Sequence, residues 1–116
     1  MPNGGIQVDI APAGAVTLAT VRGEIDIASA DDLARMLNKV AVGERLVLDL
    51  SDVDFMDSSG LAVVLRQSMR RRDAGGSLHI RNPSPSVGRL LEFCCLEHLL
   101  EEERVRRKRR RLSKGS

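Results

Sequence analysis

Residues 46–65, LVLDLSDVDFMDSSGLAVVL, constrain this chain more than any other stretch. The segment begins with Leu46-Val47-Leu48-Asp49-Leu50. It is apolar on nearly every residue, so it reads as a central strand from Arg45 to Leu50, covered on both faces. Ser51-Asp52-Val53-Asp54 follows as a turn-forming acidic segment. Next comes Phe55-Met56-Asp57-Ser58-Ser59-Gly60, and then a helix carried by Leu61, Val63, Val64, Leu65, Ser68 and Met69. A buried strand thus feeds a short polar loop, and the loop feeds the first turn of a helix. A hydroxyl there, at Ser58, is displayed beside backbone N–H groups that favour negative charge. It is a natural place for a phosphate.

The other elements frame that loop. Ile6-Gln7-Val8-Asp9-Ile10 alternates apolar and polar residues, as a strand with one buried face does. Ala11-Pro12-Ala13-Gly14 is turn chemistry. Alternation resumes from Ala15 to Val21, so the two runs predict a hairpin ended by Gly23-Glu24-Ile25-Asp26. Asp26 serves in that reading as the end of the second strand. Ser29 stands three residues before Asp32, an acidic variant of the capping box, and Leu33, Met36, Leu37 and Val40 follow at helical spacing. A helix over 30–41 is expected, stopped near Gly43. The basic residues Arg66, Arg70, Arg71 and Arg72 read as the solvated C-terminal end of the second helix, where cations complement the helix dipole. Asp73-Ala74-Gly75-Gly76 ends it. Ser77-Leu78-His79-Ile80-Arg81 is a further strand with His79 facing away from Leu78 and Ile80. Asn82-Pro83 turns the chain, and Ser84-Pro85 caps a third helix through Val87, Leu90 and Leu91. Leu96, Leu99 and Leu100 fit either a last strand or a continued helix. Strands alternating with helices after a hairpin predict an α/β domain with a mixed central sheet of about 4–5 strands. In such sheets sites lie at the carboxyl ends of parallel strands.

Length and composition agree with one folded domain over residues 1–100 and a charged, disordered tail over 101–116. Residues 1–100 hold 10 Lys/Arg against 13 Asp/Glu, a net −3, whereas residues 101–116 hold 8 Lys/Arg against 3 Glu, a net +5. Aromatic content is 2%, with no Trp or Tyr. Aliphatic residues must therefore build the core, and base-stacking platforms are missing. The two cysteines, Cys94 and Cys95, are adjacent, which offers no disulfide framework and no zinc set. No signal pattern stands at the start, and no apolar run approaches the ~20 residues that span a bilayer. A cytoplasmic chain is expected.

Several chemistries fail at Ser58 for want of specific residues. The nucleophile elbow G-x-S-x-G needs a glycine two before the serine, and Met56 stands there. The only histidines are His79 and His98. Neither is fixed near Ser58 by sequence, as a catalytic base would have to be. Gly60 is a single glycine with no Gly-Lys-Ser/Thr, so no nucleotide loop is formed. Asp52, Asp54 and Asp57 do not follow the calcium-loop pattern, which places glycine at its sixth position where Asp57 stands. Spacing alone leaves open that Asp57 or Ser58 simply caps the helix.

The segment Phe55-Met56-Asp57-Ser58-Ser59-Gly60-Leu61 resembles the signature of bacterial anti-sigma factor antagonists, which carry the STAS domain. Gly23-Glu24-Ile25-Asp26, Leu46-Val47-Leu48-Asp49-Leu50, Ser84-Pro85-Ser86-Val87 and Arg89-Leu90-Leu91 match in the same order and spacing, over about residues 6–100. The resemblance implies a STAS-like α/β domain with helices mainly on one face of the sheet, and a binding protein without catalysis, cofactor or metal. It implies an anti-sigma factor that is also a serine kinase as partner, phosphorylation of Ser58 as the release signal, and a serine phosphatase that resets it. Asp26, Asp57, Ser58, Ser59 and Gly60 are implied to form the contact surface. Gly60 either lets a partner backbone approach or eases the loop-to-helix turn. Two other readings stand beside this one: a STAS scaffold or transporter or signalling-complex subunit that is never phosphorylated, and nucleic-acid binding through the basic tail, 104–114.

The chain departs from the family pattern at three places. Gly88 lies inside the third helix, at a cost of roughly 1 kcal/mol against alanine. Cys94-Cys95 occupies the place where a small residue and glycine usually turn the chain. The acidic-then-basic tail stands where a closing helix is common.

Overall fold

The computed structural model describes residues 5–101; residues 1–4 and 102–116, and with them nearly all of the charged tail, lie outside the described residues. Among the described residues, four strands form one mixed sheet in the order β1-β2-β3-β4. β1 (Ile6–Ala13) and β2 (Val16–Ile25) make the antiparallel hairpin, and β3 (Arg45–Met56) and β4 (Ser77–Arg81) join in parallel. Three helices connect or follow them: α1 (Ala30–Leu37), α2 (Ser58–Asp73) and α3 (Pro85–Phe93). No helix among the described residues is long and apolar enough to cross a membrane.

The core lies on one side of the sheet. Leu46, Leu48 and Leu50 of β3 are fully buried with Leu33 and Leu37 of α1, Val64 of α2 and Leu91 of α3. Burying each such side chain contributes roughly 1.5–3 kcal/mol, which makes this layer the main source of stability. The covering of β3 is unequal, against the expectation of two covered faces. Val47 is buried but stands outside the core cluster, and Asp49 on the same face is only half-buried. Val47 has Leu18 and His79 as register neighbours, so His79 does face away from Leu78 and Ile80.

Four other expectations change. The segment 51–54 is not a turn but a continuation of β3, paired with β2 through Arg22↔Asp52, Gly23↔Val53 and Glu24↔Phe55. Register shifts between Thr20 and Arg22 and between Gly23 and Glu24 absorb the change of pattern. Irregularities of this kind let two consecutive polar residues fit a strand. The first helix ends at Leu37 rather than near residue 41. It closes with tightened backbone bonds, Lys39 N–H to Met36 O (3.2 Å) and Val40 N–H to Leu37 O (3.0 Å), and a side chain from α2 then takes carbonyls at and beyond its end. Arg71 donates from Nη2 to Leu37 O (2.8 Å), Val40 O (3.2 Å) and Gln67 Oε1 (3.1 Å), and from Nη1 to Ala41 O (3.0 Å). Arg71 is therefore not part of a solvated helix end; it is completely buried. Desolvation holds its pKa below the ordinary arginine value, with the charge of Arg70 adding to the effect and Glu44 opposing it. Last, residues 96–100 are neither strand nor continued helix. Glu97–Leu99 is a 3₁₀ turn, and Leu100 makes a single parallel bridge to Ile80.

Two helix ends share one device with different residues. At α2, Gly76 N–H donates to Arg71 O (2.8 Å) and Gly75 N–H to Arg72 O (3.1 Å); at α3, Leu96 N–H donates to Leu91 O (2.8 Å) and Cys95 N–H to Glu92 O (3.1 Å). Both are Schellman closures, which need a left-handed residue after the cap. Gly75 supplies it with φ +85°, and Cys95 with φ +57°. The cysteine that departs from the family pattern thus occupies a conformation suited to glycine, at a cost of about 1–2 kcal/mol.

Candidate functional site

The site is built where β2 and β3 end side by side. Ile25 pairs with Met56, and the next backbone N–H, that of Asp57, donates to Ile25 O at 3.1 Å. This bond ties the start of α2 to the end of β2 and brings the loop after Ile25 next to the loop after Met56. Asp57 is extended, with φ -106° and ψ -172°. That is the backbone an N-cap residue adopts. Its Oδ1 accepts from Ser59 N–H at 2.8 Å and from Gly60 N–H at 3.4 Å. Two of the four N–H groups that a helix start leaves open are satisfied in this way. The capping role left open for Asp57 or Ser58 falls to Asp57.

Ser58 is then free of structural duty. It is the first residue of α2, it is exposed, and its Oγ makes no hydrogen bond among the described residues. Ser59 is half-buried. Gly60 is buried, and a Cβ there would stand 2.4 Å from Ile25 Cγ2 and 3.0 Å from Met56 Cγ. Its lack of a side chain serves the packing of α2 onto the strand ends.

Asp26 sets the second loop. Its Oδ1 accepts from Ala28 N–H at 2.9 Å and from Ser29 N–H at 3.2 Å. These bonds close the turn that leads into α1, as aspartate commonly does. Ser29 is completely buried and points backwards: its Oγ accepts from Asp26 N–H (3.0 Å) and donates to Glu24 O (2.8 Å), and it makes no side-chain bond into the helix. The expected Ser29–Asp32 capping box is replaced by this Asp26–Ser29 pair, and Asp32 forms an ion pair with Arg35 one turn on. Ser84 caps α3 as expected, its Oγ accepting from Val87 N–H at 3.3 Å, with Pro85 behind it. Proline is suited to that first helical position.

The arrangement displays a hydroxyl; it does not activate one. A serine nucleophile needs a base within hydrogen-bond reach. His79 pairs with Val47 near the start of β3, and His98 shares a cleft with Ser68, Arg72 and His79 at the C-terminal end of α2, so both sit away from Ser58. No group of three or more His, Cys, Asp or Glu that could hold a metal is present among the described residues. Asp52 and Asp54 are exposed on β3, and Asp52 faces Arg22 at 3.6 Å. Cys94 and Cys95 are both exposed free thiols at the end of α3.

Sequence reasoning misjudged two buried residues, Ser29 beside the site and Arg71 at the far end of α2. Arg71 carried a readable signal: Leu61, Val64, Ser68 and Arg71 lie on one helical stripe, and all four are buried. Ser29 was noticed but given the wrong partner, because a serine bonds backwards to a turn as readily as forwards to a helix.

Comparison with known proteins places this geometry. The family model described as the STAS domain matches residues 7–110, a stretch that runs past the domain end expected at residue 100. The anti-sigma F factor antagonist of Paenibacillus polymyxa is 32% identical over 92 residues, covering 76% of this chain and 78% of that protein. The anti-sigma-B factor antagonist of Bacillus subtilis (strain 168) is 33% identical over 97 residues, covering 83% and 89%. Among solved structures, the crystal structure of an anti-sigma factor antagonist from Mycobacterium paratuberculosis superposes with a TM-score of 0.70 at 25% identity, covering 85% of this chain and 86% of that one. With the family match spanning nearly the whole described sheet and helices, this chain belongs to the STAS domain family, among the anti-sigma factor antagonists.

Proposed function

We propose that this chain binds an anti-sigma factor with serine kinase activity through the surface at the ends of β2 and β3, so freeing a sigma factor. Phosphorylation of Ser58 by that partner ends the complex, and a serine phosphatase restores the binding form. Asp26, Asp57, Ser58 and Ser59 form the contact surface, with Gly60 packed beneath it. The observation that carries this reading is the exposed, unbonded Ser58 Oγ on a helix start whose capping is already done by Asp57. A residue with no structural bond can be modified without loss of structure.

The energetics support a switch at the surface. A phosphate adds about −1.5 to −2 charge. At a helix N-terminus the dipole favours that charge by roughly 0.3–1 kcal/mol. The Asp57 carboxylate beside it opposes by a similar amount in exposed, high-dielectric surroundings. The net effect on folding is close to zero. At the partner the balance is different, because a kinase that modifies Ser58 must bring its nucleotide phosphates to the hydroxyl. The new phosphoryl group meets both bulk and like charge there, and the complex separates.

The test is incubation with the anti-sigma serine kinases of the source organism and ATP, read by mass spectrometry. The expected result is one added phosphate that maps to Ser58 and is lost in Ser58→Ala. An unmodified chain, or a phosphate that persists in Ser58→Ala, contradicts the mechanism. A chain that binds a partner and is never modified would be a STAS scaffold instead.

A further inference from the structure

The ends of β2 and β3 expose two apolar side chains that the fold does not use. Ile27 is 82% exposed and Phe55 47% exposed, and neither belongs to the core cluster or to the hydrophobics packed against it. Ile27 is nevertheless held in a defined place. The preceding residue, Asp26, accepts from the N–H groups of Ala28 and Ser29, so the turn that presents Ile27 is bonded immediately around it. Phe55 is fixed by strand pairing opposite Glu24. A scattered exposed apolar residue needs no explanation, but a rigidly presented one beside a displayed hydroxyl has the form of an interface anchor. Pre-ordering of the turn reduces what association must still immobilise.

The charges nearby choose the occupant. Glu24, Asp26, Asp54 and Asp57 lie at these strand ends, and none of the four is in a salt bridge among the described residues. A second copy of this chain, docked by a two-fold contact, would set the same carboxylates against one another. A partner with basic side chains flanking an apolar pocket would satisfy both features.

We infer that Ile27 is the apolar anchor of the partner interface, with Phe55 as a secondary contact, and that it seats in a basic-flanked apolar pocket on the anti-sigma factor. This rests on the reading of the Ser58 surface given above and adds the chemistry of the partner's side. The attraction at the flank sets encounter, the anchor sets lifetime, and the repulsion that ends the complex stays local to Ser58, where the nucleotide sits.

The experiment is a titration of the anti-sigma serine kinase that binds wild type with Ile27→Ser, Ile27→Val and, as control, Met69→Ser, which alters another exposed apolar residue, on α2. Ile27→Ser is expected to weaken binding by roughly 30-fold or more, the size of an interface hot spot. Ile27→Val and Met69→Ser stay near wild type, and Ile27→Ser melts with wild type because its side chain supports nothing in the fold. Binding of Ile27→Ser within about 3-fold of wild type removes the anchor while leaving the Ser58 surface standing. Self-association of the free chain through this face, abolished in Ile27→Ser, overturns the choice of occupant. If wild type binds none of the organism's anti-sigma kinases, the Ser58 reading falls and takes the anchor with it.

Discussion

The two ends of α2 are built on opposite principles. At the C-terminal end one side chain is fully committed: Arg71 is wholly buried and gives its donors to Leu37 O, Val40 O, Ala41 O and Gln67 Oε1, with its Nε left without a partner among the described residues. At the N-terminal end Ser58 Oγ is exposed with no bond among the described residues, although Ser59 and Gly60 beside it are bound to Asp57. One end fixes where the helix lies; the other presents a residue that the fold can do without. The contrast teaches that a basic residue in a helix's last turn can be the more structural one, and a polar residue in its first turn the more functional one.

The C-terminal end is expected to break first. Arg71→Ala would remove four hydrogen bonds, leave Val40 O and Gln67 Oε1 without a donor, and also open a void. Unsatisfied buried polar groups cost about 1–3 kcal/mol each, partly relieved by water entry. A net loss of about 3 kcal/mol follows, or roughly 15 °C in Tm for a domain of this size. A thermal melt checks it, and a change of only a few degrees would mean that α1 finds other caps. Gly60→Ala tests a structural position at the N-terminal end, beside the Asp57 cap. The added Cβ meets Ile25 Cγ2 at 2.4 Å in a fully buried place. Overpacking of this kind costs about 1–3 kcal/mol, which exceeds the roughly 1 kcal/mol gained by replacing a helix glycine. A fall of about 10 °C is expected in the same melt, and an unchanged Tm would show that α2 can slide away from β2.

These residues also show how far the sequence could be read. The hairpin, the helix starting beyond Asp57, the cap at Ser84 and the mixed sheet were legible, because each rests on periodicity or on a cap within a few residues. The extension of β3 through 51–54 was not. Its polar residues look like a turn in isolation, and only pairing with residues 22–24 of β2 keeps them extended. The early end of α1 was hidden for the same reason: Arg71, which takes the carbonyls of Leu37 and of Ala41 beyond the helix, lies thirty or more positions along the chain. At the site, Asp57, Ser58 and Ser59 could be placed on a helix start from spacing. That Asp26 would lie beside them depended on the Asp57 N–H to Ile25 O bond, which no local pattern announces. Gly60 was legible as a necessary glycine but not as one whose neighbours are Ile25 and Met56.

Ser58→Asp carries the smallest expected effect of the series and weighs most. It places a negative charge where the phosphate would stand. If the N-terminal end of α2 is a display surface, the substitution leaves the melting temperature within about 3 °C of wild type, as surface changes of about 0.5 kcal/mol do. A circular dichroism melt of Ser58→Asp beside wild type measures this directly. Coincident curves are the result this account requires. A fall comparable to that of Gly60→Ala would contradict it, because charge at Ser58 would then act by undoing the fold rather than by separating two intact surfaces.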